Sequence, residues 1–295
     1  MNLEIKFLHA MRQAGFEPDC QIIADARLHR FRDWLDKPGT KNCWYIIFPD
    51  RPPTGAYGCW RRGIHETWVG SVSTNDHLAA NRLKSINRII AKKLEHGRML
   101  AEEILQKAAP ANGNHRYLIK KKVGAHGIFY LRGALLIPLR DMDGQIHGLQ
   151  RIFPDGSKRF TRGTNKSGHF HLLGTPKENI LCIAEGYATA ATIYEISAAA
   201  TAVAFDTGNL LPVAEAFRAA YSEIEIVICA DFDRFTPGNP GMKFALKASD
   251  AVGGRIVWPR FSDFNSRGSD INDLYLEEGE DAVLNCFRGT GGYHV

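Results

Sequence analysis

The chain has 295 residues, 44% hydrophobic and 23% charged, with a formal net charge of +5. That composition excludes global disorder, no apolar run is long enough for a membrane span, and the mild positive charge only weakly favours a polyanionic partner. The 6 cysteines form no C-x-x-C pair, which argues against a zinc ribbon or finger and for reduced thiols in a cytoplasmic setting.

Residues 1–36 read as helical, with Ile22, Ile23, Ala26 and Phe31 near helical spacing. The opening MNLEIKFLHAMRQAGF lacks the apolar core of a signal peptide. A β-rich stretch follows, WYIIFPD, AYGCWRRG and HETWVG, separated by Pro and Gly turns, which predicts a small antiparallel meander. It holds Trp44, Tyr45, Phe48, Tyr57, Trp60 and Trp68, with Arg61 and Arg62 among them. Aromatics interleaved with arginine suit either a core or a stacking platform for single strands, and the core is the stronger reading.

From residue 77 to about 109, Leu83, Ile86, Ile89, Ile90, Leu94, Leu100, Ile104 and Leu105 recur at helical spacing, with Gly97 as a candidate interruption. The helix ends at APANGN. Residues 115–178 return to β texture, with hairpin turns at MDG and PDG. Arg151, Lys158, Arg159, Arg162 and Lys166 form the densest basic stretch outside the long helix. Such a face suits phosphate contact or a solvated hairpin edge. Lys120, Lys121 and Lys122 read first as solvated, with phosphate contact as the alternative.

After residue 178 short apolar strands alternate with helices: 179–184, 188–199, 201–205, 210–221, 224–230, 242–251 and 255–258. This pattern predicts an α/β fold with a mainly parallel, Rossmann-like sheet. In such sheets ligands sit beyond the carboxyl ends of the strands. There stand Glu185, Asp206, and the pair Asp231 and Asp233, while SDINDL supplies Asp270 and Asp273. Carboxylates brought together repel by about 4 kcal/mol per pair at ~4 Å and an effective dielectric near 20, so a cluster calls for a divalent cation or a shared proton. Oxygen-only ligation selects Mg²⁺ or Mn²⁺ over zinc. A lone acid such as Asp206 is more simply a helix cap or a solvated loop residue.

Glu185-Gly186 after one strand and Asp231-x-Asp233 after another resemble a Toprim domain, shared by primases, topoisomerases and some nucleases. The string EGYATA at 185–190 resembles the primase motif of conjugative-plasmid and satellite-phage replication proteins. GALLIPLRDMDGQIHGLQRIFPDGSKRF resembles the basic region before Toprim in bacterial primases. The resemblance spans roughly residues 115–285, and together with the textures above it divides the chain into five segments. These are a small α+β N-terminal domain (1–76), a helical linker (77–114), a β-rich basic primase-core subdomain (115–178), a Toprim catalytic domain (179–285) and a tail (286–295).

It further implies Glu185 as catalytic acid and Asp231 and Asp233 as catalytic metal ligands, joined at the metal by Glu185, Asp270 and Asp273. The basic residues named above, with Lys243, are the implied nucleic-acid or nucleotide contacts. Gly241 resembles the glycine that opens the helix after D-x-D, although TPGNP lengthens that connection. Gly186 would allow a sharp turn and leave room for a phosphate, and Tyr187 would pack rather than stack on a base.

The implied activity is DNA primase: a DNA-directed nucleotidyltransferase of a mobile element that makes short primers on single-stranded DNA from nucleoside triphosphates. It would use Mg²⁺ or Mn²⁺ and no zinc, in the cytoplasm and away from membranes. With no G-x-x-x-x-G-K-[ST] string, an unwinding helicase would lie on a separate chain. A Toprim nuclease and a non-catalytic DNA-binding module are the alternatives, and the length disfavours a topoisomerase.

Overall fold

The computed structural model describes residues 2–33, 39–60, 64–70, 76–176, 180–236 and 238–288. The chain divides into two compact units, Met1–His96 and Gly97–Val295.

In the first unit, α1 (Leu3–Gln13) precedes an antiparallel sheet of β1 (His29–Phe31), β2 (Cys43–Phe48), β3 (Thr54–Cys59) and β4 (Ile64–Val69), in that spatial order. The helix is shorter than the apolar spacing suggests, because Gly15 takes a left-handed φ of 77° and ends it. Ile22 and Phe31 are nonetheless buried, supplied by irregular chain and by β1. Phe7 packs edge-on against Tyr57 and Trp68. Trp44, Tyr45 and Tyr57 are almost fully buried, so these aromatics build the core. Trp60 stacks on Trp44 and carries the Lys93 ammonium over its ring at 3.3 Å. Arg61 and Arg62 lie outside the described residues.

Helix α2 runs Asp76–Gln106 without a break at Gly97. Ile86 and Ile90 join Trp44, Ile46 and Ala56 in one cluster, while Ala101 joins Leu136 and Leu149 in another. Gly97 is there for clearance: a Cβ would lie 2.2 Å from the Gly163 carbonyl oxygen.

The second unit continues with β5 (Ala109–Pro110), α3 (Arg116–Lys121), β6 (Phe129–Leu131), β7 (Ala134–Arg140), β8 (Ile146–Ile152) and β9 (Lys158–Phe160). Strands β5 to β9 form an antiparallel sheet in chain order. Next come β10 (His171–Leu173), β11 (Ile180–Ala184), α4 (Tyr187–Ser197), β12 (Ala200–Val203), a 3₁₀ turn at Thr207–Asn209 and α5 (Leu210–Ala220). The unit closes with β13 (Glu225–Cys229), α6 (Pro240–Val252), β14 (Arg255–Val257), α7 (Ile271–Glu278) and α8 (Glu280–Arg288).

The second sheet has the order β10-β12-β11-β13-β14, parallel except for β10. Period-2 alternation splits its core: Leu181, Ile183, Ile226 and Ile228 face α5 and α6, while Cys182, Ala184, Val227 and Cys229 face α4, α7, α8 and the antiparallel sheet. All 6 cysteines are free thiols, 5 of them buried. The described part of 286–295 is not a loose tail, since Cys286 is buried on α8.

Alanine at Gly97 favours the helix by about 1 kcal/mol through propensity, yet drives a methyl into backbone. Gly97→Ala is expected to destabilise the protein by about 1–3 kcal/mol in denaturant melts. A variant as stable as wild type would refute the close approach of Gly163.

Candidate active site

The chain leaves β11 for β12 on one side and then crosses to β13 on the other, so β11 and β13 are neighbours at a topological switch point. Their register pairs Ala184 with Cys229. Glu185 and Asp231 therefore emerge side by side beyond the carboxyl end of the sheet.

The D-x-D pair does not continue the strand, which stops at Cys229. Asp231 Oδ1 is sealed from solvent and has no hydrogen-bond partner. Asp233 Oδ2 accepts the Gly241 N–H at 3.2 Å, at the first turn of α6. Gly241 is irreplaceable there, because a Cβ would sit 2.3 Å from the Asp231 carbonyl oxygen. Asp270 caps α7, its Oδ1 accepting the Asp273 N–H at 2.8 Å. Asp273 is engaged on both oxygens, by Lys121 Nζ at 2.9 Å and by the Ser269 N–H at 3.2 Å.

Glu185, Asp231 and Asp270 line one cavity of about 320 Å³, together with Lys158, Lys120, Lys121 and Gly186. Burial first, then the charges of Glu185, Asp270 and Asp233, hold the Asp231 carboxyl well above the usual aspartate range, with Lys158 opposing them. Burial, then the charge of Asp273, also raises Asp270, with Lys121 opposing. Removing one partner of such a group leaves an uncompensated charge, so the cluster holds a proton or a cation.

Gly186 caps α4 at φ −107°, ψ 152°, a conformation open to any residue. What the glycine supplies is room: a Cβ would stand 3.6 Å from Lys158 Nζ, inside the cavity. Its N-cap Gly186 has no side chain to cap α4, the Tyr117 hydroxyl accepts the Ala188 amide, and the positive end of the helix favours an anion. Tyr187 is fully buried, its hydroxyl donating to Gly124 O at 3.0 Å and accepting from the His126 N–H at 2.8 Å.

Of the six basic candidates, Lys158 lines the cavity. Arg151 and Arg159 are paired across β8 and β9 over the Phe153 ring. Arg162 and Lys243 are exposed, and neither lines the cavity. Lys166 is buried in an ion pair with Asp206, which explains an acid that is neither a solvated loop residue nor a side-chain cap.

Residues 180–281 match the Toprim domain family. The chain carries a Toprim domain. It is 34% identical over 259 residues to one DNA primase TraC of Escherichia coli, covering 81% of this chain and 24% of that protein. A second DNA primase TraC of Escherichia coli is 30% identical over 286 residues, covering 87% and 19%. The chain thus spans about a quarter or less of these curated relatives. Among solved structures, the primase fragment of the bacteriophage T7 primase-helicase protein has a TM-score of 0.45 at 14% identity, covering 61% of this chain and 75% of that one.

The antiparallel sheet before the Toprim domain contributes Lys158, and α3 contributes Lys120 and Lys121. A run of lysines by itself leaves solvent and phosphate as open choices for the two α3 lysines, and only the fold brings α3 beside α7.

The raised Asp231 carboxyl means that the metal-free fold retains a proton that the unfolded chain releases. Stability therefore falls as pH rises above the ordinary aspartate range. Asp231→Asn is expected to be more stable than metal-free wild type by about 1–3 kcal/mol near neutral pH. The gap should narrow toward acid pH in thermal melts followed by circular dichroism. A gap independent of pH would rule out the raised carboxyl.

Proposed function

We propose that this chain is the catalytic part of a DNA primase that joins nucleoside triphosphates into short primers on single-stranded DNA, using Mg²⁺ or Mn²⁺. The observation that carries the reading is the sealed, unpartnered Asp231 Oδ1 set beside Glu185 and Asp270 at the switch point of the Toprim domain. Three acids with oxygen donors only fit a hard divalent cation. When bound, such a cation would offset the negative charge that develops on the attacking and leaving oxygens of nucleotidyl transfer.

The chain's own groups have distinct tasks. Glu185, Asp231 and Asp270 hold the cation, and Asp233 is steadied by the Gly241 amide so that the 231–233 turn keeps its shape. Asp273 is occupied by Lys121 and so positions α7 and α3 rather than binding the cation directly. Lys158 and the N-terminus of α4, where Gly186 leaves room, take triphosphate oxygens. The half-buried Arg151 and the exposed Arg159 and Arg162 follow the template backbone, where each contact adds salt dependence.

The biological setting that fits is plasmid or phage replication or transfer in the cytoplasm, with a helicase supplied by another chain or another part of a longer protein.

The test is incubation with single-stranded DNA, labelled nucleotides and Mg²⁺ or Mn²⁺, beside Glu185→Gln and Asp231→Asn. Wild type should yield oligonucleotides, and each variant should lose roughly 100-fold or more of the rate. DNA cleavage without added nucleotides would instead establish a nuclease, and DNA binding with neither reaction would establish a binding module. Lys158→Ala should raise the nucleotide KM more than it lowers kcat; the opposite split would overturn its phosphate role.

A further inference from the structure

A second cluster lies away from the acidic cavity, at the turn between β7 and β8. Asp141, His147 and His169 each present a ligand-type atom, and these atoms lie within 4.8 Å of one another. The three residues come from separate segments: Asp141 from the turn after β7, His147 from β8, and His169 from the stretch just before β10. None of them lines the acidic cavity.

Their geometry is more specific than a chance meeting of polar side chains. The His147 and His169 rings stack with centroids 3.8 Å apart and planes 20° from parallel. His147 Nε2 meets Asp141 Oδ2 at 2.7 Å. Asp141 Oδ1 is already saturated by the N–H groups of Asp143 at 3.0 Å and Gln145 at 2.9 Å, so the carboxylate is fixed with Oδ2 aimed inward. His169 Nδ1 is sealed from solvent and has no hydrogen-bond partner. A sealed ring nitrogen with nothing opposite it costs free energy, which a bound ion removes.

We propose that Asp141, His147 and His169 form a binding site for a divalent transition-metal ion of the zinc class, separate from the acidic cavity. Two imidazoles and one carboxylate suit such an ion, whereas Mg²⁺ prefers oxygen alone. Metal–ligand bonds of 2.0–2.2 Å place tetrahedral ligand atoms roughly 3.3 Å apart, so closure needs shifts of only about 0.5–1.5 Å. The Asp141 and His147 side chains keep 27% and 24% of their exposure, so an ion can enter and a water can take the fourth position.

The site would act as a clasp. Its ligands join the β7–β8 hairpin to the 161–170 stretch that leads into β10, the edge strand of the parallel sheet. The same stretch is held by the Arg140–Phe170 backbone pair, at 2.7 and 2.9 Å, and by Asn209, which donates to His169 O and accepts from the Gly168 N–H. An ion here ties the antiparallel sheet that carries Lys158 to the sheet that carries Glu185 and Asp231.

The test uses the full chain in a Cys20→Ser background, so that the exposed thiol cannot hold the ion. After chelator treatment, Zn²⁺ is titrated calorimetrically and Co²⁺ by its visible absorption, each in excess Mg²⁺. One tight equivalent with a tetrahedral Co²⁺ spectrum is expected, together with a rise in Tm on Zn²⁺ addition. His147→Gln and His169→Gln should each weaken the affinity roughly 100-fold or more and abolish the Tm rise. Asp231→Asn should retain both, which separates this site from the acidic cavity. Melting of the metal-free variants controls for misfolding: a His variant that melts like metal-free wild type but binds Zn²⁺ as tightly as loaded wild type overturns the proposal. So does a wild type that takes up no ion in excess Mg²⁺.

Discussion

The structure turns on the mutual repulsion of carboxylates held in a partly sealed space. Glu185, Asp231 and Asp270 share one cavity, and burial pushes Asp231 and Asp270 toward their neutral forms. Every neighbouring feature can be understood as a response to that cost. Lys158 enters from the antiparallel sheet, Lys121 neutralises Asp273, and Asp270 spends one oxygen on a helix cap. Asp231 Oδ1 is sealed from solvent without a partner. An orphaned carboxylate oxygen among like charges is costly without a proton or a counter-ion, and that cost favours a cation beside it.

The scaffold tolerates this because the surrounding packing leaves little freedom to relax. Gly241 lets the first turn of α6 lie against the Asp231 backbone, with the Asp233 carboxylate held by its amide. Gly186 leaves open the space beside Lys158. Tyr187 anchors the start of α4 by hydrogen bonds to the 124–126 backbone, which belongs to the segment before the Toprim domain. The domain and the β-rich segment thus share one core, with Leu135, Ile137 and Ile152 packed in the same cluster as Cys182, Ala184 and Tyr187.

Much of this was legible in the residues. The alternation of apolar strands and helices after residue 178 predicts a parallel sheet, and one is present. Of the acids at strand ends, Glu185 and Asp231 line one cavity with Asp270 from the α7 cap, whereas Asp206 pairs with Lys166. The aromatics of the first unit read as a core and are one. Other features were not legible. Apolar spacing at residues 22–31 mimicked a helix because irregular chain and a short strand can bury the same side chains. The basic stretch looked uniform in sequence, yet alternation along β9 sends Lys158 to the cavity and Arg159 to the Phe153 side. Lys166 looked like a phosphate ligand until Asp206 was seen beside it.

The sequence by itself determined the chemistry on offer and the local elements that carry it. Composition, strand-end acids and the EGYATA string depend only on residue identity and short-range periodicity. Tertiary structure decided which of those groups meet. The adjacency of β11 and β13 skips β12, the meeting of Lys121 and Asp273 spans 152 positions, and Asp141, His147 and His169 converge from three segments. No local pattern encodes such contacts, because they are set by how buried faces pack and by which strand the chain chooses to cross.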